Sequence, residues 1–213
     1  MKEPYYQDKF ATIYHGDCRD ILPELPKADL VLTDFPYGNN TEYGIYDDTE
    51  DNLKLLVSDV MPLILSKSSR ALITCGVSNI GLYPKPEWIL SWVTPAGNGS
   101  GKWGFCCWQP ILAYGGDPYL ANRLGRRPDT IIKTELTNIK SHPCSKPIDI
   151  WQMILLRGSV KETDIILDPF LGSGTTTEAA RKLNRKCIGI EIEEKYCEIA
   201  AKRCSQEVME LKC

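Results

Sequence analysis

The sequence predicts an α/β fold built on a mostly parallel sheet, and three observations carry that expectation. Short, continuous apolar runs at Asp29–Thr33, Arg70–Thr74, Asp164–Leu167 and Cys187–Glu191 alternate with segments of helical spacing. Two of the runs end on motifs that join an acid to turn-forming residues: Thr33-Asp34-Phe35-Pro36-Tyr37-Gly38 and Leu167-Asp168-Pro169-Phe170-Leu171-Gly172-Ser173-Gly174-Thr175-Thr176. Between them lie two segments rich in Trp, Ile, Val and Tyr, parted by glycines, the pattern of an antiparallel hairpin. Parallel sheets bind ligands outside the C-terminal ends of their strands, so both motifs fall where a site is expected.

The elements follow in order. Ala11–Tyr14 is a short strand, and Asp17 can cap a helix that runs to about Leu25 and stops at Pro26. Asp29–Thr33 is a buried strand because its apolar run is continuous rather than alternating. Residues 38–51 are polar, acidic and irregular, and apolar positions 53, 56, 57, 60, 61, 64 and 65 predict a helix over Leu53–Leu65. Arg70–Thr74 is a second buried strand. Glu87–Thr94 and Trp108–Tyr114 form the hairpin, broken by the glycine-rich Pro95–Gly101. Residues 115–144 are the least regular, and Ile148–Leu156 is a helix. Asp164–Leu167 and Cys187–Glu191, with helices over Ser173–Leu183 and Glu193–Val208, complete two βα units.

A length of 213 residues suits one domain with a small insertion, and 43% hydrophobic with 25% charged residues is globular composition. No apolar run approaches the roughly 20 residues that span a bilayer. Met1-Lys2-Glu3-Pro4-Tyr5 lacks the apolar core of a signal peptide, so a soluble cytoplasmic protein is expected. The nine cysteines form no pair of CxxC units and the two histidines are far apart, so no metal is expected. Reduced thiols serving as small core residues are expected, with Cys204 and Cys213 on the terminal helix the ones to oxidise. A net charge of −3 excludes a globally basic nucleic-acid coat. From Asn122 to Lys146, however, Arg123, Arg126, Arg127, Lys133, Lys140 and Lys146 face only Asp129 and Glu135. That stretch could neutralise phosphates if it lies on one face, and alone it reads equally well as a solvated loop.

The late motif is a glycine-rich turn opening a helix. Gly172 and Gly174 let the backbone approach a ligand, and the helix N-terminus favours a carboxylate or phosphate. The spacing is not GxGxxG and no lysine follows as in a P-loop, which argues against a phosphate ligand. S-adenosylmethionine offers a carboxylate and an ammonium instead: Asp168 suits the ammonium, and the backbone of Gly172–Thr175 suits the carboxylate. Glu191, just over twenty residues on at a strand end, is placed to accept from a ribose diol. Asp17 can accept from an adenine amino group while also capping its helix. In the early motif, the Asp34 carboxylate and the Phe35 carbonyl can grip the two N–H groups of an exocyclic amine. That grip pushes the nitrogen toward tetrahedral geometry and aims its lone pair at a methyl donor, as in-line transfer requires. A base in a duplex reaches such a site only when flipped out, and the Tyr37 ring is placed to stack on it. Asp34-Phe35-Pro36-Tyr37 alone reads equally well as a strand-end turn.

Taken with His15-Gly16-Asp17-Cys18, Trp108–Tyr114, His142-Pro143-Cys144-Ser145-Lys146-Pro147 and Gly189-Ile190-Glu191, the two motifs span almost the whole chain. In this order the chain resembles the β-group of bacterial and phage DNA amino-methyltransferases, in which the catalytic motif precedes the cofactor motif. The resemblance implies a Rossmann-like methyltransferase fold: a mixed, mostly parallel seven-stranded sheet, helices on both faces, and the hairpin at about 87–114 as its antiparallel edge. It implies one domain over 1–213, with a short target-recognition insertion at about 117–141. It implies S-adenosylmethionine as methyl donor, duplex DNA as partner and no membrane, and it is compatible with a homodimer and a separate restriction endonuclease. By the same resemblance Asp17, Cys18, Lys146, Asp168, Phe170, Gly172, Ser173, Gly174, Thr175 and Glu191 line the cofactor site, and Asp34, Phe35, Pro36 and Tyr37 the catalytic site. Arg123, Arg126 and Arg127, with Lys133 and Lys140, are the residues expected to contact phosphates or guanines.

Two departures stand out: Phe35 replaces the usual first proline of the catalytic motif, and the insertion is short for the family. Asp at position 34 looks like the adenine-N6 subgroup, where Ser would be more typical of cytosine-N4 enzymes. Cytosine-N4 transfer, an RNA or small-molecule acceptor, and a cofactor-binding DNA-binding subunit of weak catalysis remain the alternatives.

Overall fold

A computed structural model describes residues 2–41, 43–95, 97, 99–132 and 146–210, with side chains to residue 206. The chain opens with β1 (Tyr6–Gln7) and turns at Asp8, whose carboxylate accepts from Phe10 N at 2.8 Å and Ala11 N at 2.7 Å, into the antiparallel β2 (Ala11–His15). Asp17 caps α1 (Cys18–Ile21), accepting from Arg19 N at 2.8 Å. The helix expected to reach Leu25 is one α turn, which then tightens into a 3₁₀ turn, Leu22–Glu24, at Pro23. Next come β3 (Leu30–Asp34), α2 (Glu50–Lys67), β4 (Ala71–Thr74), β5 (Trp88–Val93), the short β6 (Ser100–Gly101) and β7 (Gly104–Phe105), and β8 (Trp108–Tyr114). The chain then forms α3 (Pro118–Ala121), β9 (Thr130–Ile132), α4 (Ile148–Gly158), β10 (Ile165–Asp168), α5 (Thr175–Lys182), β11 (Lys186–Glu191) and α6 (Glu194–Glu210). Thr49, outside the expected span, caps α2, so that helix starts three residues earlier than its apolar pattern.

The main sheet runs β1-β2-β11-β10-β3-β4-β8-β5-β9. Strands β2, β11, β10, β3 and β4 are parallel, and β8 lies antiparallel between β4 and β5. The seven expected strands are all present, but the sheet has nine. The hairpin is also not its edge, because β9 pairs parallel to β5 from Ser91↔Thr130 to Val93↔Ile132. Strands β1 and β9 are two and three residues long, too short to show a periodicity.

Successive strand residues point to opposite faces, which sorts the core. Leu30, Leu32, Leu72 and Ile166 pack with Ile150, Trp151, Ile154 and Leu155 of α4 and Ala179 and Ala180 of α5. Val31, Ile73, Leu167 and Ile190 pack on the other face with Leu53, Val57, Val60, Met61 and Ile64 of α2. Helix α6 covers Ala11 and Ile13 through Cys197, Ala200 and Cys204. Cys204 is 2% exposed, so the expected oxidation there is corrected: packing of α6 onto Ala11 and Ile13 of β2 seals the thiol, whereas Cys107 is exposed. Cys213 lies outside the described residues. Among the described residues no helix is long and apolar enough to cross a membrane.

Strands β3 and β10 are parallel neighbours, and the chain leaves them in opposite directions, β3 toward β4 and β10 toward β11. That is a topological switch point, and Asp34 and Asp168 end the two strands that meet there.

Candidate active site

One cleft opens over the switch point, lined by the ends of β2, β3, β10 and β11 and by the loop around Tyr43 and Tyr46. Asp17, Cys18, Asp34, Phe35, Pro36, Lys146, Asp168, Phe170, Gly172, Ser173, Thr175 and Glu191 all line it. Gly174 and Tyr37 do not. At Gly174 the backbone is left-handed (φ +90°), and a Cβ would stand 2.9 Å from Ala200 Cβ, so this glycine lets α5 approach α6 rather than facing a ligand. Gly172 (φ +55°) meets open space where its Cβ would be, and its N–H donates to Glu191 Oε2 at 2.7 Å.

One side of the cleft is held by the buried acids Asp168 and Glu191. Asp168 accepts from Thr33 Oγ1 at 2.6 Å and from Phe170 N at 3.0 Å, and also from Thr176 Oγ1, which in turn accepts from Trp151 Nε1 at 2.7 Å. Burial raises its pKa to about 6, against the opposing pull of the Thr176, Thr33 and Phe170 hydrogen bonds. Glu191 accepts from the backbone of Gly172 and, at 2.8 Å, of Glu193, and burial raises its pKa too. At the rim, the Arg19 guanidinium holds the Asp17 carboxyl below its usual range, with a closest approach of 2.6 Å.

The other side is a closed network around Asp34 and Tyr37. Asp34 Oδ1 accepts from Tyr37 OH at 2.6 Å and from Thr74 Oγ1, and Oδ2 pairs with Lys146 Nζ at 2.6 Å. Lys146 Nζ also donates to Tyr37 OH at 3.0 Å, Gln109 Nε2 donates to the same oxygen, and Asn79 Nδ2 fixes the Tyr37 carbonyl at 2.7 Å. Burial and then the Asp34 charge push the Tyr37 hydroxyl well above its ordinary pKa, which keeps it a donor. Lys146, expected in the cofactor site, thus lines the cleft with its ammonium held by Asp34. Phe35 is 1% exposed, edge-on to Tyr83 (centroids 5.4 Å apart) and tilted on Phe170 (4.5 Å). Its N–H donates to Thr74 O at 3.4 Å, a bond that proline cannot make, so packing and a ladder hydrogen bond hold the turn in place of a ring.

The arginines are elsewhere. Tyr114 pairs with Ala71 at the start of β4, whereas Thr74 at its end pairs with Asp34. Arg126 and Arg127 line a groove with Ala71, Trp88 and Tyr114, at the end of the strands opposite the cleft. Arg127 is moreover engaged: it stacks on the Tyr119 ring at 3.5 Å, donates to Leu156 O and Arg157 O at 2.8 and 2.9 Å, and pairs with Asp117 at 3.1 Å. The expected nucleic-acid role for Arg127 meets a side chain already spent on capping α4. Arg123 and Arg126 are exposed, and Lys133 and Lys140 lie outside the described residues.

Sequence reasoning missed Thr74, Gln109, Asn79, Trp151 and Glu193, which arrive from distant elements. It also missed Asp48, which closes the irregular loop by accepting from Gly38 N at 2.7 Å and Asn39 N at 3.2 Å. Glu193 accepts from Ile45 N, which draws that loop over the cleft.

The cleft suits a cationic ligand without phosphate. Asp17, Asp34, Asp168, Glu191 and Glu193 line it, while its cations Arg19 and Lys146 are paired. The Tyr46 hydroxyl is buried in its wall and has no hydrogen-bond partner among the described residues. The fold is that of the Rossmann-like methyltransferases. Over residues 119–202 the chain matches the family N6_N4_Mtase, DNA methylase. It is 29% identical to the Type II methyltransferase M.ScaI of Streptomyces caespitosus over 268 aligned positions, taking in 99% of this chain and 86% of that protein. Those positions outnumber the 213 residues here, so the relative carries insertions this chain lacks. Two solved structures share the fold. PvuII DNA methyltransferase (cytosine-N4-specific) has a TM-score of 0.73 at 17% identity, covering 94% of this chain and 88% of that one. M1.HpyAVI in its SAM complex has a TM-score of 0.62 at 23% identity, covering 91% and 99%. The chain is thus similar to N6/N4 DNA methylases over residues 119–202 and shares the fold of solved DNA methyltransferases.

Proposed function

We propose that the chain transfers a methyl group from S-adenosylmethionine to the exocyclic N6 of a flipped-out adenine in duplex DNA. The observation that carries this reading is the coupling of the two acids: Asp34 and Asp168 line one cleft, and Thr33, the neighbour of Asp34, donates to Asp168 at 2.6 Å. The bound donor would supply an electrophilic methyl on a sulfonium. Asp168, Glu191 and the Gly172 turn hold and orient that donor, with Asp168 taking the ammonium and Glu191 the ribose. Asp34 would accept an N–H of the target amine in place of the Tyr37 hydroxyl, so that the nitrogen lone pair turns toward the methyl, and would take the proton that the methylated amine releases. Tyr37, released from Asp34, offers its ring to the extruded base. The acidic cleft with paired cations and the relationship to Type II methyltransferases support the cofactor and DNA, and Asp rather than Ser at position 34 supports adenine.

Cytosine-N4 transfer is the second reading, favoured by the cytosine-N4-specific PvuII enzyme among the structural neighbours. Expression in a bacterial host stripped of its own methylation, with modified bases read genome-wide, separates them. N6-methyladenine in a fixed context that disappears with Asp34→Ala is expected. N4-methylcytosine would replace the base assignment, and no modified base beside soluble protein would overturn the activity.

A further inference from the structure

Arg126 and Arg127 lie at the wrong end of the strands to meet DNA whose base sits at Asp34. Another element stands at the right end. Ile111 on β8 pairs with Thr74, which pairs with Asp34; two residues earlier, Gln109 reaches the Tyr37 hydroxyl. From Trp108, paired with Val93, the hairpin continues past the sheet into the ribbon β6–β7, with Gly101 opposite Gly104 and Lys102-Trp103 as its two-residue tip. Trp103 is 103% exposed, Phe105 81% and Trp108 37%, and among the described residues no aromatic ring packs on Trp103 or Phe105. Lys102 is the one charged residue between Thr94 and Trp108. Large aromatics held out in water on a glycine stalk mark an interaction surface. Their placement beside the acceptor side of the cleft, with a cation and no acid, suits a stacked, anionic polymer.

We propose that the β6–β7 ribbon, led by Trp103 and Phe105, engages duplex DNA and stacks into the gap left by the extruded base. Apolar wedges fill unstacked base steps in this way, and ring-on-base stacking tolerates any sequence. The inference rests on the reading of the chain as a DNA methyltransferase, and its test separates the two. Binding of short fluorescein-labelled duplexes of random sequence, with and without a central abasic position, is measured for the wild type, for Trp103→Ala combined with Phe105→Ala, and for Trp103→Tyr. Methyl transfer to unmethylated genomic DNA is followed in parallel. The wild type and Trp103→Tyr are expected to prefer the abasic duplex about tenfold, and the double variant to lose that preference at an unchanged melting temperature. A wild type without the preference, or a double variant that keeps it, overturns the ribbon's role, whatever the methyl transfer shows. A preference that vanishes in the double variant of a protein that transfers no methyl keeps the ribbon's role and sinks the activity.

Discussion

The two halves of the cleft are built on different plans. On the donor side a single strand–turn–helix brings Asp168, Phe170 and Gly172 together, and the acids are held by backbone N–H groups and neighbouring hydroxyls. On the acceptor side four separate stretches meet on Asp34 and Tyr37, supplying Thr74, Gln109, Lys146 and Asn79, and the acid's oxygens are already engaged. One half engages its acids' oxygens too, but chiefly through backbone N–H groups and hydroxyls that leave lone pairs for a ligand. The other is closed on itself, and its substrate must displace contacts the protein makes with its own side chains.

The sharpest way to break the comparison is Asp34→Ala. Removing a positioned proton acceptor is expected to cost methyl transfer about 10²–10⁴-fold, measured with tritiated donor on unmethylated DNA. Activity within a few-fold of wild type would show that the acceptor network is only structural.

Phe35→Pro restores the common motif yet is expected to harm the protein. It removes a fully buried ring and the N–H bonded to Thr74, a change of the large-to-small kind that costs about 3–5 kcal/mol. For a chain of this size that corresponds to a drop of roughly 10 °C in melting temperature, read by calorimetry. An equal or higher Tm would mean that the turn does not depend on Phe35 packing.

Asp168→Asn probes the donor side through pH. Burial raises the folded-state pKa to about 6 from 3.8, so the ionised form is disfavoured in the fold. The stability contribution of this group is whole below pH 3.8 and is lost as pH rises through 6. The asparagine variant should therefore gain stability of about 3 kcal/mol above that window and nothing below it, while losing donor binding. Urea melts at the two pH extremes test this, and a gain independent of pH would contradict it.

Tyr37→Phe should have the smallest effect. It opens the ring's tether to Asp34 but keeps the aromatic face, so transfer should stay within about tenfold of wild type, while Tyr37→Ala falls further by the value of one ring–base stack, about 1–3 kcal/mol. Equal losses in the two variants would place the role in the hydroxyl rather than the ring.

The same contrast explains what the sequence makes legible. Asp34, Asp168, Gly172 and Glu191 are visible because each sits in a local motif at the end of a strand that its own apolar run announces. Thr74 and Gln109 carry no local signal: their roles exist only because β4 and β8 lie beside β3 in the sheet. Arg127 looks like a phosphate ligand in a charge count, but the carbonyls it satisfies are about thirty residues away on α4. Gly174 belongs to the motif and yet serves helix packing, a distinction that only the Ala200 contact reveals. The aromatic ribbon was hidden because a glycine-rich loop reads as a spacer until the sheet shows which end of the strands it leaves.

The central claim is that donor and acceptor are held by separate acids, Asp168 and Asp34. Titration of S-adenosylmethionine into the wild type, Asp34→Ala and Asp168→Ala by calorimetry tests it most directly. The account predicts that Asp34→Ala binds the donor within about fivefold of wild type, whereas Asp168→Ala, deprived of the ammonium's charged partner, binds at least about tenfold more weakly. Equal weakening by the two substitutions, or tight binding by Asp168→Ala, would contradict it.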